Sequence, residues 1–334
     1  MVVLYANHLA EKGHKVRIVT NIFNSHLYIS SKVKIEKIPY RHKTGTILWA
    51  IVNKIKADLI IADIIVMAVL LSIRNYKRVL YFAQDYDVSY YNDILRKGLI
   101  ALVYFIGLRM FKIPCIAVSD SLKDELSKYS KNNLYVVHNG IDLEVFFPNP
   151  EPSLLKLKED RKAILIFGRK DYRKGLDIAL KVISELSNKI NKNSLEIWVV
   201  GDKVDSGLLP YRVRNFGYVD ETKLRDVLSS ADLFLYPSRH EGLPLFVLEA
   251  MACGCPVVTT KAVSIVTHME NAWVSEIEDV ESLSEGVLKV FYDDDLLSTL
   301  LRNAFILVKQ YNFKDQSEKF EKILEKKGTY ENNS

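Results

Sequence analysis

Residues 237–258 read PSRHEGLPLFVLEAMACGCPVV, and the order of polar and apolar stretches in and around them decides the fold. Asp232 to Tyr236 and Pro256 to Thr260 have the apolar, aromatic and β-branched make-up of buried strands. Between them lie a polar loop and then an apolar segment, with Pro244 where a helix opens and Gly254 where it closes. Strand, loop, helix and strand in this order make the repeating unit of a parallel α/β sheet. Glu241 therefore falls on the loop, and Glu249 inside the helix, more than one turn from its start. A carboxylate among Leu245, Phe246, Val247, Leu248, Ala250, Met251 and Ala252 is costly to bury unless something bonds to it. A ribose diol is such a partner for Glu249. Glu241, at the lip of the helix N-terminus, suits sugar hydroxyls or positive charge developing at a reacting carbon. The plainer account makes Glu241 a partner of the helix dipole and Glu249 a surface residue, and both accounts stay open at this level.

A second junction lies upstream, where residues 167–175 read FGRKDYRKG between an apolar strand and a helix. The N-terminus of a helix offers backbone N–H groups and the positive end of its dipole to an anion. Arg169 can grip phosphate oxygens there with a fork, and Lys174 serves as a point charge. Solvated Lys and Arg are also common in such loops, so this turn alone decides little.

Outward from these two junctions, helix and strand alternate along almost the whole chain. Lys15 to Thr20, Lys34 to Ile38, Asp58 to Ala62, Arg78 to Ala83, Pro114 to Ser119 and Leu134 to Val137 read as strands of a first sheet. Ala163 to Phe167, Leu195 to Val200, Val213 to Val219, Asp232 to Tyr236 and Pro256 to Thr260 belong to a second. Helices are expected over Val280 to Tyr292 and Leu296 to Tyr311, then a last amphipathic helix and a disordered polar tail, Lys326 to Ser334. The turn residues 138–142, followed by Pro148, Pro150 and Pro152, mark a boundary. The expected domains are residues 1–142, residues 143–312, and a C-terminal helix and tail over 313–334. Met1 to Ala10 reads as a helix with no strand before it, whereas a doubly wound domain opens on a central strand and a glycine-containing loop. The expectation is a first domain without its first strand, or a start site further upstream.

The 334 residues are too many for one ordinary core, and the composition is that of a folded chain. The net charge of +5 is uneven: residues 1–150 hold 20 Lys+Arg against 12 Asp+Glu, leaving the rest at −3. A basic first half could meet an anionic membrane surface or a phosphorylated acceptor, and solvated lysines explain it as well. The lysines are scattered without a recognition motif, so nucleic acid is not expected as a partner. Cys115, Cys253 and Cys255 sit in apolar runs without metal-ligand spacing, which points to buried thiols in a reducing, cytoplasmic compartment. Leu59 to Ile73 is too short for a membrane span and contains Asp63. Leu99 to Ile113 carries Arg109 and Lys112 and could lie in a membrane interface, peripheral at the inner face, but a buried helix is the plainer reading. Ser119 is placed to cap a helix, and His138 reads as a hinge or packing residue.

The two glutamates eight apart, the Gly-Leu-Pro-Leu turn between them and the stretch from Glu249 to Val258 closely resemble the signature of glycosyltransferase family 4. The likeness takes in Gly168-Arg169, Lys174-Gly175, residues 200–202, 217–219 and 229–238, and Asn139 to Asp142 with Phe146 and Pro148. It implies a GT-B architecture: α/β, two Rossmann-like doubly wound parallel-sheet domains facing a cleft. It implies that Arg169 and Lys174 bind the diphosphate of a sugar-nucleotide donor, Glu249 the ribose, and Glu241 the transferred sugar. Gly168, Gly242, Leu243, Pro244 and Leu245 are the expected donor-site backbone, and Glu241, Arg169 and Lys174 the expected catalytic groups. The implied reaction moves a hexosyl or deoxyhexosyl group to a hydroxyl of a glycan or lipid-linked acceptor, with retention, no cofactor and no metal.

The chain departs from that pattern in two places. Where relatives often carry a histidine after the strand ending near Ala83, residues 84–87 read QDYD, so Gln84 and Asp85 are candidate donor contacts. The run 81–87 is similar to a rhamnosyltransferase subgroup, which would imply a 6-deoxy sugar donor. Asp85 and Asp87 also spell a metal-binding pair, read here as coincidence because Arg169 and Lys174 already supply cations. After Pro256 the usual glycine pair and glutamate are replaced by residues 259–267, TTKAVSIVT, which leaves that donor loop least defined. The alternatives are a non-catalytic or truncated glycosyltransferase-like binding partner, and an epimerase or phosphorylase of the same architecture.

Overall fold

The computed structural model describes the chain except residues 22–27, 41, 92, 131–132 and 332–334. Backbone contacts divide it into two compact units, Met1–Asn139 with Lys314–Ser334, and Gly140–Phe313.

The first unit contains α1 (Val2–Glu11), β1 (Arg17–Thr20), β2 (Lys34–Lys37), α2 (Lys43–Val52), β3 (Ile60–Ala62), α3 (Ile65–Ser72), β4 (Val79–Ala83), α4 (Ile94–Tyr104), β5 (Cys115–Ala117), α5 (Asp120–Leu126) and β6 (Leu134–Val136). Its parallel strands lie in two groups, β1 with β2, and β3-β4-β5-β6 in that order. β4 and β5 are buried along their length, as the centre of a parallel sheet requires. Helix α1 touches both groups. Its Tyr5 ring meets Phe82 of β4 at 5.3 Å, while Ala6 and Ala10 pack on Val33 beside β2. Among the described residues β1 pairs only with β2 and β3 only with β4, so the single first sheet expected from the sequence is in two pieces. Ser119 caps α5, its hydroxyl accepting from the Leu122 N–H at 3.2 Å.

One further sequence expectation is corrected in this unit. The apolar stretch from Leu99 is not a buried helix: Leu99, Leu102, Phe105 and Met110 are all exposed, and only one side of α4, with Ile100 and Tyr104, is covered. Apolar composition records an aversion to water, and it does not say which neighbour removes the water. No helix among the described residues is long and apolar enough to cross a membrane.

The second unit runs through α6 (Pro152–Lys158), β7 (Lys162–Gly168), α7 (Leu176–Leu186), β8 (Leu195–Gly201), β9 (Arg212–Gly217), α8 (Glu221–Ser230), β10 (Leu233–Tyr236), α9 (Leu245–Ala252), β11 (Val257–Thr260), β12 (Trp273–Ser275), α10 (Val280–Tyr292) and α11 (Asp294–Lys309). The strand β12 was not foreseen; three residues are too few to show a period. All six strands are parallel, in the order β9-β8-β7-β10-β11-β12. Written in chain order, this is 3-2-1-4-5-6, that of a doubly wound dinucleotide-binding sheet. One face is covered by α7, whose Ile178, Ala179, Val182, Ile183 and Leu186 recur at helical spacing and are buried. The three cysteines are buried and unpaired.

The last helix, α12 (Phe313–Glu331), corrects the expected tail, since its backbone stays helical well past Lys326. The end of that tail, 332–334, lies outside the described residues. From Lys314 onward α12 belongs to the first unit, where Phe320 packs on Tyr5 and Phe82 and Glu321 bonds His14 at 3.0 Å.

Candidate functional site

In a sheet of this order the chain leaves β7 toward one face and β10 toward the other, and the crevice beyond their C-terminal ends is where such folds bind ligands. In the second unit these ends carry the two junctions singled out in the sequence.

The turn after β7 is held closed by its own charges. Asp171 accepts from the Arg173 N–H at 3.1 Å and from its guanidinium at 3.2 and 2.8 Å, which keeps the Asp171 carboxyl below its usual range. Gly175 then starts α7 from a left-handed conformation, φ 67°, and a Cβ there would run into the Pro237 carbonyl oxygen. That contact sets the first junction directly against the second. The Arg173 carbonyl accepts from the Arg239 N–H at 2.7 Å and lies 2.8 Å from the Ser238 hydroxyl.

Lys174 Nζ lies 2.9 Å from both carboxylate oxygens of Glu241. Glu241 Oε1 also accepts from the Tyr236 hydroxyl at 2.7 Å and the Ser238 hydroxyl at 2.6 Å, and its side chain is only 5% exposed. Burial, with the Glu241 charge beside it, holds the Tyr236 phenol well above its ordinary range, so it stays a donor. Arg169 is exposed at the end of β7 and makes no side-chain hydrogen bond or ion pair among the described residues. The structure thus joins Lys174 to Glu241 and leaves Arg169 open to an incoming anion.

Helix α9 begins at Leu245 behind the buried Gly242, Leu243 and Pro244, and no side chain caps it. Of its first three N–H groups, Leu245 donates to the Leu243 carbonyl and Val247 to the Pro244 carbonyl, both at 3.0 Å, and the Phe246 N–H has no acceptor among the described residues, which leaves it for an anion at this helix end. Glu249 is not the surface residue of the plainer account. Its Oε2 is buried without a hydrogen-bond partner, and burial pushes its carboxyl up to about 8, so near neutral pH the group keeps its proton. An orphaned polar atom on an apolar helix is unfavourable unless a ligand completes it.

Three further residues escaped the sequence reading. Arg239 bonds both oxygens of Asp177 at 2.8 and 2.7 Å, Glu278 at 2.7 Å and the Tyr172 carbonyl at 2.7 Å, and stacks 3.9 Å from the Tyr172 ring. It ties both junctions to the start of α7. Thr259 donates to the Tyr236 carbonyl at 2.6 Å and Thr260 to the Ser238 carbonyl at 2.5 Å, so the end of β11 fixes the Glu241 loop from behind. The unusual sequence after Pro256 thus has a structural use at its first two positions.

Two family models cover most of the chain: Glycosyltransferase Family 4 over residues 1–145 and Glycosyl transferases group 1 over residues 161–293. The chain belongs to the family 4 glycosyltransferases. An uncharacterized glycosyltransferase of Haemophilus influenzae is 25% identical over 347 residues, covering 96% of this chain and 93% of that protein. Another, from Methanocaldococcus jannaschii, is 29% identical over 210 residues, 57% of this chain; the matched part spans only 53% of that protein. Sucrose-phosphate synthase from Thermosynechococcus elongatus has the same fold, with a TM-score of 0.79 at 18% identity over 97% of this chain and 92% of that one. Anabaena HepE, solved in complex with UDP-glucose, gives 0.74 at 17% identity, covering 97% and 95%. The GT-B fold of two Rossmann-like parallel-sheet domains follows.

In the first unit of this family 4 glycosyltransferase, Gln84 Oε1 accepts from Asn139 Nδ2 at 3.0 Å, while Gln84 Nε2 and Asn139 Oδ1 are buried without partners. Asp85 accepts from the Tyr86 N–H at 2.8 Å. Asp87 is bound into the fold by the Ile65 N–H at 3.4 Å and the Tyr104 hydroxyl at 3.2 Å, and burial raises its carboxyl. His138 contacts Asp120 at 3.0 Å, and its carbonyl accepts from the Tyr5 hydroxyl at 3.2 Å.

Proposed function

We propose that this protein transfers a hexosyl or deoxyhexosyl group from a sugar nucleotide to a hydroxyl of a glycan or lipid-linked acceptor, retaining the anomeric configuration and using no metal. The observation that carries this is the arrangement at the β7/β10 switch point, with Arg169 unpaired, Lys174 bridged to Glu241, and Glu249 buried with an unsatisfied oxygen. Each can be matched to one part of a sugar nucleotide.

The diphosphate would meet Arg169 and the Phe246 N–H at the start of α9, and would draw Lys174 toward it from Glu241. Charge on a departing diphosphate is stabilised by fixed cations and N–H groups that need not reorganise. Glu241, still held by Tyr236 and Ser238, would then face the sugar as positive character develops at its reacting carbon. Glu249 would accept from the ribose hydroxyls, giving Oε2 the partners it lacks. Two cations and a helix end already offset the diphosphate charge, which is why no metal is invoked. HepE, which shares the fold, was solved with UDP-glucose, and that supports a sugar-nucleotide donor here. Gln84 and Asn139 present one unused donor and one unused acceptor, a pair suited to a hydroxyl.

The test is nucleotide release from UDP-glucose, GDP-mannose and dTDP-rhamnose, with and without acceptor extracts, in chelator and in manganese. Acceptor-dependent turnover in chelator, with the product's anomeric proton matching the donor's, is the expected result. Nucleotide binding without turnover of any donor would leave a binding module in its place. Turnover only with manganese would remove the metal-free part of the reading.

A further inference from the structure

We propose that α4 and the turn after it form a docking surface for an anionic lipid bilayer. Ile94 and Leu95 are 87% and 86% exposed, and Leu99, Leu102, Phe105 and Met110 continue the exposed apolar face. At about 100° per residue, Ile94, Leu102, Leu95 and Leu99 fall within an arc of about 140° on one side of the helix. Arg96 and Lys97, both exposed, lie about 60° beyond either edge of that arc by the same geometry. Ile100 and Tyr104, which are buried, occupy the opposite side and fasten the helix to the unit. Apolar face outward, cations on both flanks and an anchored back are the arrangement of a helix lying in the plane of a membrane interface.

Charge selects the occupant. From Ile94 to Lys112 the chain carries Arg96, Lys97, Arg109 and Lys112, within the half whose net charge is +8; Arg96 forms an exposed ion pair at 3.6 Å with Asp93, which caps α4, and the other three have no ion pair among the described residues. An anionic headgroup layer gives the three unpaired cations a partner, and Arg96 a second one, while acyl chains take the apolar arc. A second copy of the chain, meeting this face by two-fold symmetry, would set four cations against four others at an apolar contact. A neutral protein partner would leave the flanking charges without use. The proposal does not depend on the donor site, because every residue it uses lies outside that site.

Co-sedimentation of the full chain with vesicles of phosphatidylcholine, and of phosphatidylcholine mixed with phosphatidylglycerol, tests it. Binding is expected to the mixed vesicles and to fall as salt screens the surface. Ile94→Glu with Leu95→Glu removes two exposed apolar groups and should cut binding more than ~10-fold. Arg96→Gln with Lys97→Gln should cut it about fivefold per charge removed. These side chains are exposed, so both variants should melt with the parent; nucleotide binding in the same samples confirms intact protein. Equal binding to neutral vesicles, binding indifferent to both double variants, or no binding with a dimer that Ile94→Glu/Leu95→Glu disperses, would each overturn the proposal.

Discussion

Lys174 reaches both oxygens of Glu241 across 67 positions of sequence, at 2.9 Å each, and the Tyr236 and Ser238 hydroxyls turn toward the same carboxylate. A cation and an anion held this way without ligand are each other's placeholders. Removing one leaves the other buried with its charge unpaired, which costs about 3–5 kcal/mol in such pairs. Lys174→Met should therefore destabilise the protein strongly, and Lys174→Met with Glu241→Gln should recover much of the loss. Thermal melting of the two singles and the double closes the cycle. Additive losses would show that the pair is not the coupled unit described here.

The two partners should separate in function. Glu241→Gln keeps the hydroxyl contacts but frees Lys174, so nucleotide binding should be at least as tight as in the parent. Its kcat should drop on the order of 100-fold or more, as when one preorganised electrostatic group is lost. Lys174→Ala should instead weaken nucleotide binding. Calorimetry with the free nucleotide diphosphate, set beside transfer rates, measures both; weaker binding in Glu241→Gln would count against the assigned roles.

Glu249 gives a pH signature. Its carboxyl stands at about 8 in the fold against 4.5 when unperturbed, because burial disfavours the charged form. A group raised on folding contributes most to stability below its unfolded value and loses that contribution as pH climbs through its folded one. Between pH 4.5 and about 8 the parent should lose stability relative to Glu249→Gln, by on the order of a few kcal/mol. A ribose diol donating to this group favours its ionised form, so nucleotide binding at pH 7 should release a proton. Binding enthalpies in two buffers of different ionisation enthalpy reveal it, and the release should vanish in Glu249→Gln.

The junctions were legible in the sequence because their signals are local. Pro244 and Gly254 bracket a helix, and apolar runs of five residues bracket a strand, so Glu241 and Glu249 could be placed on loop and helix before any contact was known. Partnerships between distant segments were not legible. Arg239 stood in the sequence as one polar loop residue, yet its partners come from Tyr172, Asp177 and Glu278, and no spacing rule joins these. For a related reason the sequence left α4 between two readings and favoured the buried one: its apolar content was evident, but a buried helix and an interfacial one share that content.

Arg239 also yields a prediction of its own. Its side chain is 9% exposed and meets two carboxylates, with the bonding Asp177 held below its usual carboxyl range. A lysine cannot reproduce the bidentate fork, the carbonyl bond and the ring stacking together. Arg239→Lys should lower transfer by about 100-fold, through misplacement of the loop that carries Glu241. A structural anchor acting through Glu241 should lower kcat while nucleotide affinity stays within a few-fold. A variant with normal kcat would show that the loop keeps its place without this arginine.

Gly175 is the sharpest test of how the two junctions are registered. Its φ of 67° disfavours any residue with a Cβ, by roughly 1 kcal/mol for alanine. The larger effect is steric, because the obstacle is the Pro237 carbonyl oxygen, a backbone atom that cannot rotate away. Gly175→Ala must push the turn after β7 away from the loop after β10, and Lys174 is the residue next to it. The β7–β8 and β7–β10 pairings lie outside the displaced segment, so the sheet should survive while the Lys174–Glu241 contact opens. The expected outcome is a folded protein with a lowered melting midpoint, weakened nucleotide binding and little transfer. Gly217→Ala is the control: its φ of 72° is equally disfavoured, but a Cβ there meets nothing within 4 Å. If both variants lose the same stability and the same nucleotide affinity, backbone strain alone accounts for Gly175, and the contact with Pro237 does not register the site.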